Sequence, residues 1–264
     1  RELLDQEGAV ARLQGMGFVD PKSALNNLKL LSSTPFGPHI EEIAAKALAS
    51  PSPEGALNNL EAIAKETPSE LIGEALKAPL FLERIITIAG SSPFLSGILA
   101  RNSRFFEWLF LKGGLFEKKG LEAFNDGLRD ARLLDDFDSL ARALRLYKQK
   151  EYLRIGARDL LGLSELFEVT AEISDLASAS LDAALAFSIR NSKKLYGEPL
   201  YTDEDGSIKE ARFSVMGLGK LGGRELNFSS DIDIIYIYSS DKGETTGVEG
   251  RAEARISLHA FFVK

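Results

Sequence analysis

Asp231 and Asp233 stand two residues apart within the run Asp231-Ile232-Asp233-Ile234-Ile235-Tyr236-Ile237-Tyr238. On a β-strand, residues i and i+2 point to the same face. The two carboxylates would then stand together, with Ile232 and Ile234 turned into a core. Neighbouring carboxylates repel and are costly to desolvate unless a cation neutralises them. An all-oxygen ligand set suits magnesium, with manganese as the alternative, and not zinc. Upstream, Gly222-Gly223 lets backbone N–H groups come close to a phosphate, and Ser229 and Ser230 add hydroxyl donors. A phosphate cradle beside metal-binding carboxylates is the equipment of phosphoryl or nucleotidyl transfer.

The same stretch contains a competing pattern. Gly217-Leu218-Gly219-Lys220-Leu221-Gly222 is a literal G-x-G-x-x-G, the mark of a dinucleotide-binding turn. That reading needs a crossover helix leading to a parallel strand, and residues 218–230 are too few and too rich in glycine and serine to form one. A P-loop fails sooner, because Leu221 follows Lys220 where a hydroxyl should meet the metal.

The elements that must position this stretch follow from periodicity. Residues 1–162 read as a helical region with apolar spacings of three and four, broken by proline, glycine and serine. Ser23 and Pro53 sit where helix starts want a cap or a first-turn proline. The segment Ala-Leu-Asn-Asn-Leu occurs at 24–28 and again at 56–60, which reads as two similar helix starts. Residues 80–109 carry many aromatics and read as packed core. In the stretch 141–162, Leu144, Tyr147, Tyr152 and Ile155 are expected to face inward. Arg142, Arg145, Lys148, Arg154 and Arg158 are expected on other faces, as charge runs on helices usually are. Glu151 and Arg154 are spaced to pair. Arg154 and Arg158 are also candidates for phosphate contact, against the plainer reading of a solvated face.

Residues 163–264 are expected to open with one long helix over 164–196, capped by Ser164, with a seam of Leu166, Val169, Ile173 and Leu176 and a stop at Gly197. A polar turn tipped by Asp205-Gly206 follows, then strands near 211–217 and 231–239. The fold class is thus mainly α followed by α+β. A net charge of -7 argues against a general nucleic-acid binder, and no apolar run is long enough to span a membrane. The chain has no cysteine, so thiolate ligands and nucleophiles are excluded, and a cytoplasmic location is expected. It begins Arg-Glu-Leu-Leu without a methionine and is expected to be a piece of something longer. His39 and His259, its histidines, are expected to be surface or packing residues.

The stretch GLGKLGGRELNFSSDIDIIYIY, 217–238, resembles the signature of the glutamate-ammonia-ligase adenylyltransferase family, bifunctional enzymes that attach AMP to glutamine synthetase and remove it. LRLYKQKEYLRIGARDL, 144–160, is similar to the family's arginine-rich helix, and LYGEPLYTDEDGSIKEARFSVMGLGKLGG adds support. The resemblance is specific over 141–264 and implies a polymerase-beta-type nucleotidyltransferase domain whose first part is 163–264. Asn227-Phe228-Ser229-Ser230-Asp231 resembles the deadenylylating half, which implies phosphorolysis of an AMP–tyrosine bond. Asp231 and Asp233 then match the family's first two metal-binding aspartates, and Gly222, Gly223 and Ser230 match its nucleotide-phosphate loop. Implied partners are glutamine synthetase, adenine nucleotide with phosphate, and a PII-type signal protein. The family's third carboxylate lies in a Val-Asp-x-Arg-Leu-Arg-Pro stretch that does not occur here; Asp241, in a polar turn, is a poor substitute. A site incomplete in this chain is therefore expected. The alternative is a helical docking or regulatory module.

Overall fold

Prolines mark where several helices begin. Pro21, Pro53 and Pro93 each stand at the start of a helix, where a missing N–H costs nothing. The computed structural model describes residues 8–263. Its helices in the first half are α1 (Ala9–Met16), α2 (Pro21–Ser32), α3 (Ile40–Leu48), α4 (Pro53–Glu66), α5 (Ser69–Ala75), α6 (Phe81–Ser91), α7 (Pro93–Arg101) and α8 (Ser103–Phe110). The cap of α2 is Asp20, which accepts from the Ser23 N–H at 3.0 Å; Ser23, expected as a cap, lies inside the helix. The two Ala-Leu-Asn-Asn-Leu segments lie in α2 and α4, which pack against each other.

Two compact units divide the chain. The first runs to Lys118 and adds Gln149–Val169. Its core gathers Leu28, Leu57, Leu60, Ile63 and Ile85 around rings from the 80–109 region. Phe81 meets Phe106 edge-on at 5.8 Å and Phe110 at 5.1 Å between ring centres.

The long helix α10 (Phe137–Leu160) corrects the expectation for its arginines. Arg154 is 0% exposed and Arg158 2%. The Arg154 Nε donates to Glu151 Oε2 at 2.7 Å and its Nη1 to the Glu117 carbonyl at 2.7 Å. Arg158 donates to the Leu163 carbonyl at 3.2 Å and to the Glu168 carboxylate. Lys118, first, and Arg158 hold the Glu168 carboxyl below its ordinary value. The spacing that predicts a Glu151–Arg154 pair is right, but the pair lies in the core and not on the surface. The helix ends with Gly162 at φ 64 and Leu163 N–H on the Arg158 carbonyl, a Schellman-type stop.

The second unit is Lys119–Lys148 with Thr170 onward. It contains α9 (Leu121–Gly127), most of α11 (Leu166–Tyr196), β1 (Pro199–Thr202), β2 (Ile208–Glu210), β3 (Phe213–Gly217), α12 (Gly219–Gly222), β4 (Ile234–Tyr238), β5 (Glu244–Thr245) and α13 (Leu258–Val263). The seam of α11 holds at Val169, Ile173 and Leu176, whereas Leu166 is exposed. Ser164 does not cap the helix, which begins two residues later, and its hydroxyl is buried without a hydrogen-bond partner among the described residues. The polar turn at Asp205-Gly206 closes a hairpin, with Asp203 N–H on the Ser207 carbonyl at 2.9 Å. Its strands β1 and β2, with β5, form an antiparallel sheet in the order β2-β1-β5.

The sheet that matters for the motif is β3–β4, antiparallel, with Phe213 opposite Tyr238 and Gly217 opposite Ile234. Antiparallel pairing of neighbours leaves no place for a βαβ crossover, so the dinucleotide-binding reading is excluded by topology. Strand β4 starts at Ile234, so Asp231, Ile232 and Asp233 form its lead-in and not its body. Ile232 is 41% exposed and Ile234 half-buried, not core as the alternation suggests. Among the described residues, no helix is long and apolar enough to cross a membrane.

Candidate functional site

The glycine turn is built by backbone. As β3 ends at Gly217, the Leu218 N–H donates to the Asp233 carbonyl at 2.8 Å, which carries the hairpin ladder one step past the strands. Gly219 then adopts φ +51, a conformation that costs side-chain-bearing residues roughly 1 kcal/mol or more. A Cβ there would stand 3.6 Å from Asp233 Oδ2, so the second aspartate lies directly against the turn. The short helix α12 closes through Gly222 N–H to the Leu218 carbonyl at 3.1 Å and Gly223 N–H to the Gly219 carbonyl at 3.0 Å.

Those two bonds revise the expected phosphate cradle. The N–H groups of Gly222 and Gly223 are spent inside the turn. Among the described residues, the donors left over are those a helix start cannot satisfy internally, at Gly219, Lys220 and Leu221. Gly222 has a different task. A Cβ on it would stand 2.7 Å from the Gly217 carbonyl oxygen, so it lets the turn fold back on its own strand. At Gly223, φ is -80 and the nearest atoms would lie at 3.5 Å, an ordinary contact. Gly222→Ala is therefore expected to cost about 1–3 kcal/mol of local stability, as overpacking does, and to weaken nucleotide binding. Gly223→Ala should leave both nearly unchanged. Calorimetric titration with a magnesium nucleotide, beside thermal melts, checks the contrast.

Two leucines seat the loop between α12 and β4. Leu221 and Leu226 are both buried, each worth about 1.5–3 kcal/mol relative to exposure. The Leu226 N–H donates to Ser174 Oγ on α11 at 3.1 Å. Between them Arg224 takes φ 59, and its Nη2 donates to Asp175 Oδ2 at 2.8 Å. Burial pushes the Asp175 carboxyl above its ordinary value, and the Arg224 charge opposes this. Asn227 then makes the next turn: its Oδ1 accepts from Ser229 N–H at 3.1 Å and Ser230 Oγ at 2.9 Å. The Ser230 hydroxyl thus braces the loop that delivers Asp231.

Asp231 and Asp233 are both exposed, and among the described residues neither has an ion-pair partner. Carboxylates of this kind, next to a turn with unspent N–H donors, fit a hard cation by donor chemistry. Among the described residues no group of three His, Cys, Asp or Glu side chains converges as a metal cluster. A groove of about 680 Å³ lined by Asp182, Ile189, Arg190 and Lys194 runs along α11, and none of the motif residues line it. Its cations are engaged, Arg190 with the Arg132 and Leu134 carbonyls and Lys194 with Asp135. His259 meets the Tyr238 hydroxyl at 3.2 Å on the hairpin, and His39 lies 3.8 Å from Glu42. The structure adds Gly217, Gly219, Asp175 and Arg224 to the residues that shape the site. The two glycines were visible in the G-x-G spacing, whereas nothing local in the sequence pairs Asp175 with Arg224.

Comparison with known proteins gives the class. Residues 82–264 match the family model described as glutamate-ammonia ligase adenylyltransferase, and the chain belongs to that family. It is similar to a bifunctional glutamine synthetase adenylyltransferase/adenylyl-removing enzyme of Pseudomonas putida, 29% identical over 93% of this chain and 27% of the relative. An enzyme of the same description from Burkholderia mallei is 42% identical over 48% of this chain and 13% of its own length. The chain thus spans only about a quarter of the length of the Pseudomonas relative.

Proposed function

We propose that the chain carries the adenylyl-removing site of a bifunctional glutamine synthetase adenylyltransferase, on a polymerase-beta-type nucleotidyltransferase fold. In this reading 1–162 is a helical region and 163–264 the first part of the nucleotidyltransferase domain. The observation that carries it is the Leu218–Asp233 backbone bond, which brings an acidic residue against the glycine turn. Asp231 and Asp233 would hold magnesium, or manganese in its place, which supplies charge neutralisation and polarisation of phosphoryl oxygens. The unspent N–H groups at Gly219 to Leu221 would orient the phosphate of the AMP group, and Ser229 and Ser230 shape the loop beside it.

The reaction is phosphorolysis. An oxygen of inorganic phosphate bonds to the phosphorus of the AMP–tyrosine ester as the bond from phosphorus to the tyrosine oxygen breaks. ADP leaves, and the tyrosine oxygen regains a proton. The choice of this direction rests on the likeness of Asn227-Phe228-Ser229-Ser230-Asp231 to the deadenylylating half. The helical unit, whose core contains none of the motif residues, would dock glutamine synthetase or a PII-type protein in the cytoplasm.

The test is to incubate adenylylated glutamine synthetase with the full-length enzyme containing this chain, with and without phosphate. Phosphate-dependent release of ADP is expected. Release of AMP independent of phosphate would overturn the phosphorolytic reading.

A further inference from the structure

Arg224 is bound to the site's geometry by two features that seldom coincide. Among the described residues, Leu80 and Arg224 are the non-glycine residues at positive φ. At Arg224 the turn's own backbone keeps this conformation, with Arg224 N–H on the Leu221 carbonyl at 3.1 Å and Glu225 N–H on the Lys220 carbonyl at 2.7 Å, the left-handed stop of a helix end. The side chain that this turn presents is taken by Asp175, whose Oδ2 accepts from Arg224 Nη2 at 2.8 Å. The Asp175 side chain is 9% exposed on α11, yet it receives a side chain that is itself 62% exposed. Asp175 also accepts the Leu121 backbone N–H at the start of α9. One residue earlier on α11, Ser174 holds the Leu226 N–H. Two adjacent helix residues thus grip the loop on either side of Glu225.

Resting on the proposed transfer site, we infer that Asp175 is a positioning residue for it, acting through Arg224. The loop leaves α12 at Gly223 and must return to β4 at Ile234 with Asp233 against Gly219. Its path is set at the first step by the turn at Arg224 and at the last by the Asn227–Ser230 turn. A backbone at φ 59 reverses direction, and without its ion pair the reversed chain loses its Asp175 tie to α11 and is left with the Ser174–Leu226 bond, so Leu226 and Asn227 are freer to shift. Asp231 and Asp233 then lose their place beside the glycine turn although every atom of both aspartates remains. A neutral residue could accept the Leu121 N–H as well as Asp175 does. The burial of a charge is what the Arg224 contact specifically needs.

The experiment uses the full-length enzyme. Asp175→Asn and Arg224→Gln are each expected to weaken manganese binding, followed by electron paramagnetic resonance, roughly 10-fold or more, as loss of a supporting partner does at metal sites. Both should lower kcat for deadenylylation with less than about a twofold change in KM, since the loss falls on the transition state. The double variant should be no worse than either single one, as expected of two residues acting as one unit. Arg224→Lys, which keeps the charge, should restore part of the loss. In the metal-free protein, hydrogen exchange at the Leu218 N–H should speed up while exchange at β1 and β2 stays unchanged. Arg224→Gly guards against misfolding as an explanation, because glycine accepts φ 59 freely. It should fold normally and still show the weakened metal binding. Full additivity, or unchanged metal affinity and Leu218 exchange in folded variants, would overturn the assignment. Asp231→Asn serves as the control. If it too left manganese binding unchanged, the transfer site itself would be misplaced; if it alone abolished binding, only the role of Asp175 would fall.

Discussion

Asp231→Asn and Asp233→Asn are each expected to remove deadenylylation while leaving the fold in place. Both side chains are exposed and make no ion pair among the described residues, so the change to a neutral isostere removes no contact that supports the chain. What each change removes is half the negative charge available to a divalent cation. A metal held against phosphoryl oxygens supplies several kcal/mol of charge stabilisation, and each ~1.4 kcal/mol is tenfold in rate. A loss of about 10³-fold in kcat/KM follows for either variant. Asp233→Asn should be the more severe, since Asp233 is the one set against Gly219 and joined to Leu218. Assay of ADP release from adenylylated glutamine synthetase, beside circular dichroism of the variants, decides it. Wild-type rates in either folded variant would remove the aspartates from the reaction.

The parts of the site that were legible in the sequence are those encoded by neighbours. Gly217 to Gly222 bends the chain because glycine alone tolerates the positive φ and the close approaches found there. The short connection to the next apolar run could only return as an antiparallel strand. Alternation across 231–238 gave the strand but misplaced its start, because the turn diverges from the ladder just after the Leu218–Asp233 bond. It also gave a side for each residue without saying what covers it. Tyr236 is 61% exposed, as are Ile232, Ile235 and Ile237 in large part, because β4 pairs only with β3 among the described residues. The long-range partners were invisible for a different reason. Arg224 meets Asp175 across 49 positions and Arg154 meets the Glu117 carbonyl across 37. No periodicity carries such pairings, so a charge run reads as a solvated face even where carbonyls wait to receive it. Strands β1 and β2 lie on either side of the expected polar turn, and β2 carries no strand pattern because Ile208-Lys209-Glu210 is short and wholly exposed.

Replacing Glu151 by Leu is expected to cost the helical unit about 3–5 kcal/mol, the range found when one partner of a buried ion pair is removed. Arg154 would keep its charge at 0% exposure with its Nε contact gone. The carbonyl of Glu117 would still receive Nη1, a dipole where a carboxylate charge had stood beside Nε. On helix α10 Leu153, Ile155 and Ala157 are buried beside the pair, so water has no easy route to the guanidinium. Arg154→Met alone should cost a comparable amount, since it takes the Nε contact from the buried Glu151 carboxylate. The double change Glu151→Leu with Arg154→Met should recover much of the loss, because two apolar side chains of similar volume need no mutual charge. Denaturant unfolding of the four forms measures the coupling directly. If the single variants lost less than about 1 kcal/mol, the pair would be behaving as a surface ion pair, and the burial that separates it from the other charges of α10 would be wrong.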